Sequence, residues 1–246
     1  MTLFLNILFW AFFGVTSFVL CGIALVIRLV TGPFDRNLRI LQKFSGFWAS
    51  LYIWANPFWS VGSLKGIEQV DPKKAYVIVS NHQSMADILI LFRSFLHFKW
   101  VAKKSLFNLP LLGWNMRLNG YVPITRGDEK SREECLKQCA DWLKKGSSVL
   151  FFPEGTRSKD GRLQPFKPGA FRLALETGHE ILPVVISGTL HAIPKHSILL
   201  HGRSRMSMKV LPPISLKNLS GDVAEQAKQL SQKAHDVMEK AMGEIS

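Results

Sequence analysis

Asn81-His82-Gln83-Ser84-Met85-Ala86-Asp87 sets an imidazole five residues before a carboxylate. On one continuous helix, five residues turn through about 140° past full circles, and the two side chains would point apart. The preceding run Ala75–Ser80 (AYVIVS) reads as a buried strand, and Ile88–Leu96 has helical spacing. A strand-to-helix turn between them, with His82 in the loop and Asp87 in the first helical turn, lets the two meet. A carboxylate on one imidazole nitrogen fixes the tautomer and stabilises the imidazolium formed when the other nitrogen takes a proton. The pair is therefore a candidate general base. The same residues also allow a structural reading, because Ser84-x-x-Asp87 resembles a helix capping box with a shortened acid.

A second corner follows the apolar run Ser147–Phe152. In Phe152-Pro153-Glu154-Gly155-Thr156-Arg157-Ser158, the proline ends a strand and Gly155 permits a tight turn. Arg157 offers a planar fork suited to phosphate. Arg126, after Val122-Pro123-Ile124-Thr125, supplies a cation from another corner, and Lys167 adds positive potential. Lys159 and Arg162 read as solvated turn charges. The sequence has no G-x-S-x-G elbow, no phosphate-binding P-loop and no ligand cluster for a metal. No protein nucleophile is evident, which favours direct transfer over a covalent intermediate. His191, His196 and His201 fall in a loop-like stretch and read as surface or satisfied histidines.

The elements that must position these corners read as α/β from Gly62 onward. Strands are expected at Ala75–Ser80, Phe98–Ala102, Gly120–Pro123, Ser147–Phe152 and Ile181–Ser187. Helices are expected at Ile88–Leu96, Lys130–Lys145, Gly169–Thr177 and Asp222–Glu244, the last capped by Ser220. The expectation is a central, mostly parallel or mixed sheet flanked by helices, with ligands at the strand-to-helix turns.

Residues 1–61 read as membrane-anchoring helices and 62–246 as the catalytic domain. Leu3–Ile27 carries no charge and is long enough to cross a bilayer. No basic residue precedes it, which argues for a retained anchor over a cleaved signal. Arg28, Arg36, Arg39 and Lys43 follow and place the remainder on the cytoplasmic side. Phe44–Val61, rich in Trp, Phe and Tyr, reads as an interfacial or re-entrant helix disturbed at Asn56-Pro57. Lys and Arg number 31 against 18 acids, a net charge of +13. That excess suits an anionic membrane surface. No nucleic-acid signature accompanies it. Three cysteines (Cys21, Cys135 and Cys139) form no disulfide framework.

The two corners together resemble the glycerolipid acyltransferase family, most closely the bacterial 1-acyl-sn-glycerol-3-phosphate acyltransferases. Asn81 to Asp87 matches the family's N-H-x4-D motif, Gly120 to Gly127 its second motif with Arg126, and Phe152 to Ser158 its F-P-E-G-T-R-S motif. Ile181 to Ser187 with Pro183 looks like its fourth motif, and Val101-Ala102-Lys103 like its lysine-bearing segment. The resemblance implies transfer of an acyl chain from acyl carrier protein or coenzyme A to the hydroxyl of lysophosphatidic acid, giving phosphatidic acid. It implies His82 and Asp87 as the catalytic pair, and Arg157, Arg126 and Lys103 as phosphate ligands. Glu154, Gly155 and Thr156 would shape the phosphate site, and Asn81 and Pro183 the surrounding backbone. No cofactor is expected; the thioester is a co-substrate. The implied location is the cytoplasmic face of a bacterial inner membrane. Two alternatives remain open: the same chemistry on another lysolipid, such as a lyso-ornithine lipid, or a non-catalytic protein that binds anionic lipid.

Overall fold

The computed structural model describes residues 2–193, 200 and 203–245, the side chain of residue 2 excepted. His196 and His201 lie outside the described residues. Two helices come first, α1 (Thr2–Thr31) and α2 (Arg39–Ala55). There follow β1 (Trp59–Lys65), β2 (Val77–Ser80), α3 (Asp87–Phe92), β3 (Phe98–Lys103), α4 (Leu112–Leu118), β4 (Val122–Ile124) and α5 (Glu129–Lys144). The chain ends with β5 (Ser148–Phe151), α6 (Gly169–Thr177), β6 (Ile181–Ser187), β7 (Ser204–Val210) and α7 (Val223–Met242).

The strands form one sheet in the order β1-β7-β6-β2-β5-β3-β4. β6 and β7 run antiparallel, and the other neighbouring pairs run parallel. The mixed, mostly parallel sheet is the one expected. β2 shows why its sequence is apolar throughout. Ile78 faces a core shared with α3 and α2, while Val77 and Val79 face a second core under α5, α6 and α7. A strand covered on both faces has no polar side to show. The C-terminal ends of β2, β3, β4, β5 and β6 gather at one edge, where open α/β sheets bind ligands.

Several elements differ from the sequence expectation. α3 stops at Phe92, four residues short, and Phe95 takes a left-handed φ of 53°. α4 begins after Pro110 and a positive-φ Leu111. β1 begins at Trp59 and so straddles the 61/62 boundary between the expected anchor and domain. α7 is capped by Asp222, which accepts Glu225 N–H while the Glu225 carboxylate accepts Asp222 N–H, and not by Ser220.

α1 and α2 pack as an antiparallel pair through Leu20, Cys21 and Ala24 against Leu41, Trp48 and Tyr52. Tyr52 Oη lies 2.7 Å from Ser17 Oγ and accepts from Trp48 Nε1 at 2.6 Å. The 30-residue α1 is about 45 Å long, and the pair is fastened to the domain at both ends, by α1 at one and by the α1–α2 loop at the other. Asn6 exchanges two hydrogen bonds with the Leu200 backbone, and Phe9 meets Trp59 edge-on. Beyond the far end, Asn37 Nδ2 donates to Lys145 O. The outer side of α1 exposes Phe4, Val15, Phe18 and Leu29, and α2 exposes Ile40, Phe47 and Trp54.

Candidate active site

β2 ends where Asn81 takes over the ladder. The Asn81 amide donates to Ile186 O at 2.9 Å and accepts Ile186 N–H at 2.8 Å. One side chain thus imitates a peptide group toward β6 and frees the Asn81 backbone to turn. His82 follows, and both of its main-chain groups are held by the second corner. Its N–H donates to Glu154 Oε1 at 2.6 Å, and its carbonyl accepts Ser158 N–H at 2.8 Å.

The His82 ring is fixed from two sides. Asp87 Oδ2 lies 2.7 Å from Nδ1. The Phe152 ring stacks on the imidazole at a centroid distance of 4.1 Å and an interplanar angle of 20°. Asp87 is fully buried in the first turn of α3, and its Oδ2 also accepts Gln83 N–H and Ser84 N–H at 2.7 and 2.9 Å. Half of the alternative capping box forms, in the Ser84 N–H bond to Asp87 Oδ2; the other half does not, because Ser84 Oγ accepts Ala86 N–H two residues on. With Nδ1 committed to a carboxylate, Nε2 is the ring nitrogen left for a substrate proton.

Glu154 accepts Gln164 N–H through its other oxygen at 3.0 Å. Burial pushes its carboxyl up to about 7, against the lowering effect of the His82 and Gln164 N–H groups. Gly155 has φ 72°, and a Cβ there would meet the Lys167 side chain at 2.8 Å. The backbone therefore favours glycine at this turn, while the Lys167 chain that lies across it is flexible at that end and can move aside. Thr156 is exposed beside it.

The cations come from three corners. Arg157 is half-buried and lines a groove of about 280 Å³ with Gln83, Lys159, Leu190 and His191. Arg126, two residues beyond β4, has its pKa lowered by burial first and by the charge of Arg157 second. Two guanidiniums within each other's field make a place for an anion. Lys103 ends β3 and is exposed at the same sheet edge. Pro183 lies inside β6 opposite Val79, where its carbonyl accepts Leu211 N–H, and not in a loop.

Three participants were not assigned these roles from sequence. Phe152 carried no role, although an aromatic at the end of a strand paired with β2 can reach the first loop. Lys159 reads as a solvated charge and His191 as a surface histidine, yet both line the groove. Nothing in their local spacing signals this, because the groove joins the turn after β5 to the loop after β6.

A family model described as Acyltransferase matches residues 63–187. A protein of Brassica napus named 1-acyl-sn-glycerol-3-phosphate acyltransferase, chloroplastic, is 42% identical over 75% of this chain and 56% of its own length. A Chlamydomonas reinhardtii protein of the same activity name is 38% identical over 90% of this chain and 67% of its own length. This chain thus spans little more than half of the Brassica relative. The crystal structure of the 1-acyl-sn-glycerophosphate acyltransferase PlsC from Thermotoga maritima superposes with a TM-score of 0.78 at 25% identity, covering 98% of this chain and 96% of that one.

Proposed function

This chain belongs to the acyltransferase family, and on that premise we propose that it acylates the free sn-2 hydroxyl of 1-acyl-glycerol-3-phosphate from an acyl thioester, giving phosphatidic acid. The observation that carries the reading is the clamping of His82. Asp87 holds its ring, while Glu154 and Ser158 hold its backbone and tie it to the turn that bears Arg157.

In this mechanism the acceptor phosphate rests among Arg157, Arg126 and Lys103, with Lys167 near the turn. Its hydroxyl then reaches His82 Nε2. As the hydroxyl oxygen attacks the thioester carbonyl, Nε2 takes its proton and Asp87 stabilises the imidazolium. The tetrahedral intermediate collapses by breaking the carbon–sulfur bond. The departing thiolate recovers the proton from His82, and no acyl-enzyme forms. The thioester carrier is acyl carrier protein or coenzyme A.

The apolar outer faces of α1 and α2 and the net charge of +13 support action at an anionic membrane surface. We place the domain on the cytoplasmic face of a bacterial inner membrane, on the charges that follow α1. The Brassica relative is chloroplastic by name.

The test is thioester-dependent acylation across a panel of lysolipids, with acyl carrier protein and coenzyme A donors in parallel. Selective conversion of lysophosphatidate supports the reading. Conversion of a lysolipid without a phosphomonoester in preference to lysophosphatidate would overturn the acceptor, and no conversion of any would favour a lipid-binding protein.

A further inference from the structure

The groove of about 280 Å³ beside the His82 loop has walls that are tied to one another. Three loops meet there, after β2, β5 and β6, and the other two are fastened to residues 82–84. Ser158 N–H donates to His82 O at 2.8 Å, and Gln83 Nε2 donates to Gly161 O at 3.3 Å. Thr189 Oγ1 donates to Gln83 Oε1 at 3.4 Å, and Ser84 Oγ donates to Ile193 O at 3.4 Å. Lys159 and His191 stand on the two flanking loops and line the groove with Arg157.

These three side chains are uncommitted. Among the described residues, none of Arg157, Lys159 and His191 forms an ion pair with a carboxylate. No acid is in the lining. Asp160, next in the chain, is already engaged. It accepts from Ser158 Oγ–H and Arg162 N–H, and it faces the Arg162 guanidinium at 3.9 Å. Donors from two loops therefore converge on one open space, which suits an anion with several oxygens.

Position decides which anion. In the acceptor proposed above, the phosphate and the reacting hydroxyl sit on neighbouring carbons, so the phosphate comes to rest close to His82. β5 and β6, whose loops carry Lys159 and His191, both pair directly with β2. Lys103 and Arg126 follow β3 and β4, two and three strands from β2, about 10 and 14 Å across the sheet. Those two reach across with extended side chains, whereas the groove begins at Gln83, the residue after His82.

We propose, resting on that acceptor reading, that Lys159 and His191 are further substrate ligands and that with Arg157 they select a phosphomonoester over a phosphodiester. A monoester offers three terminal oxygens and close to two negative charges. Arg157, Lys159 and an N–H of His191 supply a donor for each oxygen, and the imidazole keeps an N–H in either protonation state. A diester has one terminal oxygen fewer and a smaller charge, which leaves one donor without a partner.

The test uses the full chain in nanodiscs, with lysophosphatidate and its methyl phosphodiester as paired acceptors. Lys159→Ala and His191→Ala, both at exposed positions, should each raise the lysophosphatidate KM about tenfold. The thioester KM should stay unchanged, and the preference for the monoester should narrow by a similar factor. Arg162→Ala removes a cation of the same turn that is outside the lining, and it should change neither. A second readout needs no turnover: glycerol 3-phosphate, and not glycerol, should protect Lys159 from acetic anhydride, mapped by mass spectrometry. An unchanged monoester preference in both variants, or an equal loss in Arg162→Ala, would overturn the inference and leave the acyl-transfer reading standing. Equal labelling of Lys159 with and without glycerol 3-phosphate would overturn it too. Protection of Lys159 in a chain that acylates no lysolipid would support the phosphate groove and end the acyl-transfer reading.

Discussion

Asp87 Oδ2 lies 2.7 Å from His82 Nδ1 and at the same time accepts two backbone N–H groups, from Gln83 and Ser84. One oxygen therefore orients the ring and closes the loop that carries it. Replacing Asp87 with Asn keeps the volume but removes the charge that fixes the tautomer. The kcat of Asp87→Asn should fall on the order of 10³–10⁴-fold, as when an orienting carboxylate is lost beside a catalytic histidine. The acceptor KM should stay near that of the parent. Steady-state kinetics on protein of unchanged melting temperature tests this, and a loss confined to KM would assign Asp87 to substrate binding.

Phe152 holds the opposite side of the same ring through a stack at 4.1 Å. An aromatic pair of this kind contributes about 0.5–1.5 kcal/mol. Phe152→Ala should lower kcat about tenfold by letting the imidazole wander, and Phe152→Tyr should restore most of it. Equal losses in both variants would show that the stack does not position the ring.

Arg157 links the groove to the second corner and shares a field with Arg126. Removing one charge-assisted hydrogen bond costs about 1.5–3 kcal/mol. Arg157→Ala should therefore raise the KM for a phosphate-bearing acceptor roughly ten- to hundredfold. The KM for the thioester should change little. Arg157→Lys should recover only part of the loss, since lysine lacks the planar fork. An acceptor KM that does not move would place the phosphate elsewhere.

Glu154 gives the fold a pH signature. Its carboxyl rises from 4.5 unfolded to about 7 folded. The folded state thus holds a proton that the unfolded chain has lost. The stability this contributes is complete below pH 4.5 and disappears as pH rises through about 7. Its size is on the order of 3 kcal/mol. Melting temperature should fall between pH 5 and 8 in the parent more steeply than in Glu154→Gln. Parallel curves would mean that Glu154 ionises freely.

The site was more legible in the sequence than the sheet. The His82–Asp87 contact followed from a strand, a loop and a helix in that order, and the Phe152–Ser158 turn announced itself by its proline and glycine. β6 and α6 match their expected bounds, α6 because Gly178 stops it at φ 70°. β1 was hidden because Trp59 and Val61 extend an aromatic run that suits a membrane boundary. β7 was hidden because Ser-Arg-Met-Ser-Met-Lys-Val alternates weakly and carries flexible methionines, although Met206 and Met208 are fully buried. Those strands pair across more than 140 positions of sequence, as Trp59 with Ser204, and such partnerships leave no local period. Groove members such as His191 are brought in by the same long-range assembly.

The central claim is that the His82 imidazole removes the acceptor's proton. The direct measurement is single-turnover acyl transfer to lysophosphatidate by His82→Ala, with membrane binding followed in the same preparation. Transfer should drop to the rate of thioester hydrolysis without enzyme, with membrane association unchanged. Transfer near the parent rate would contradict the account.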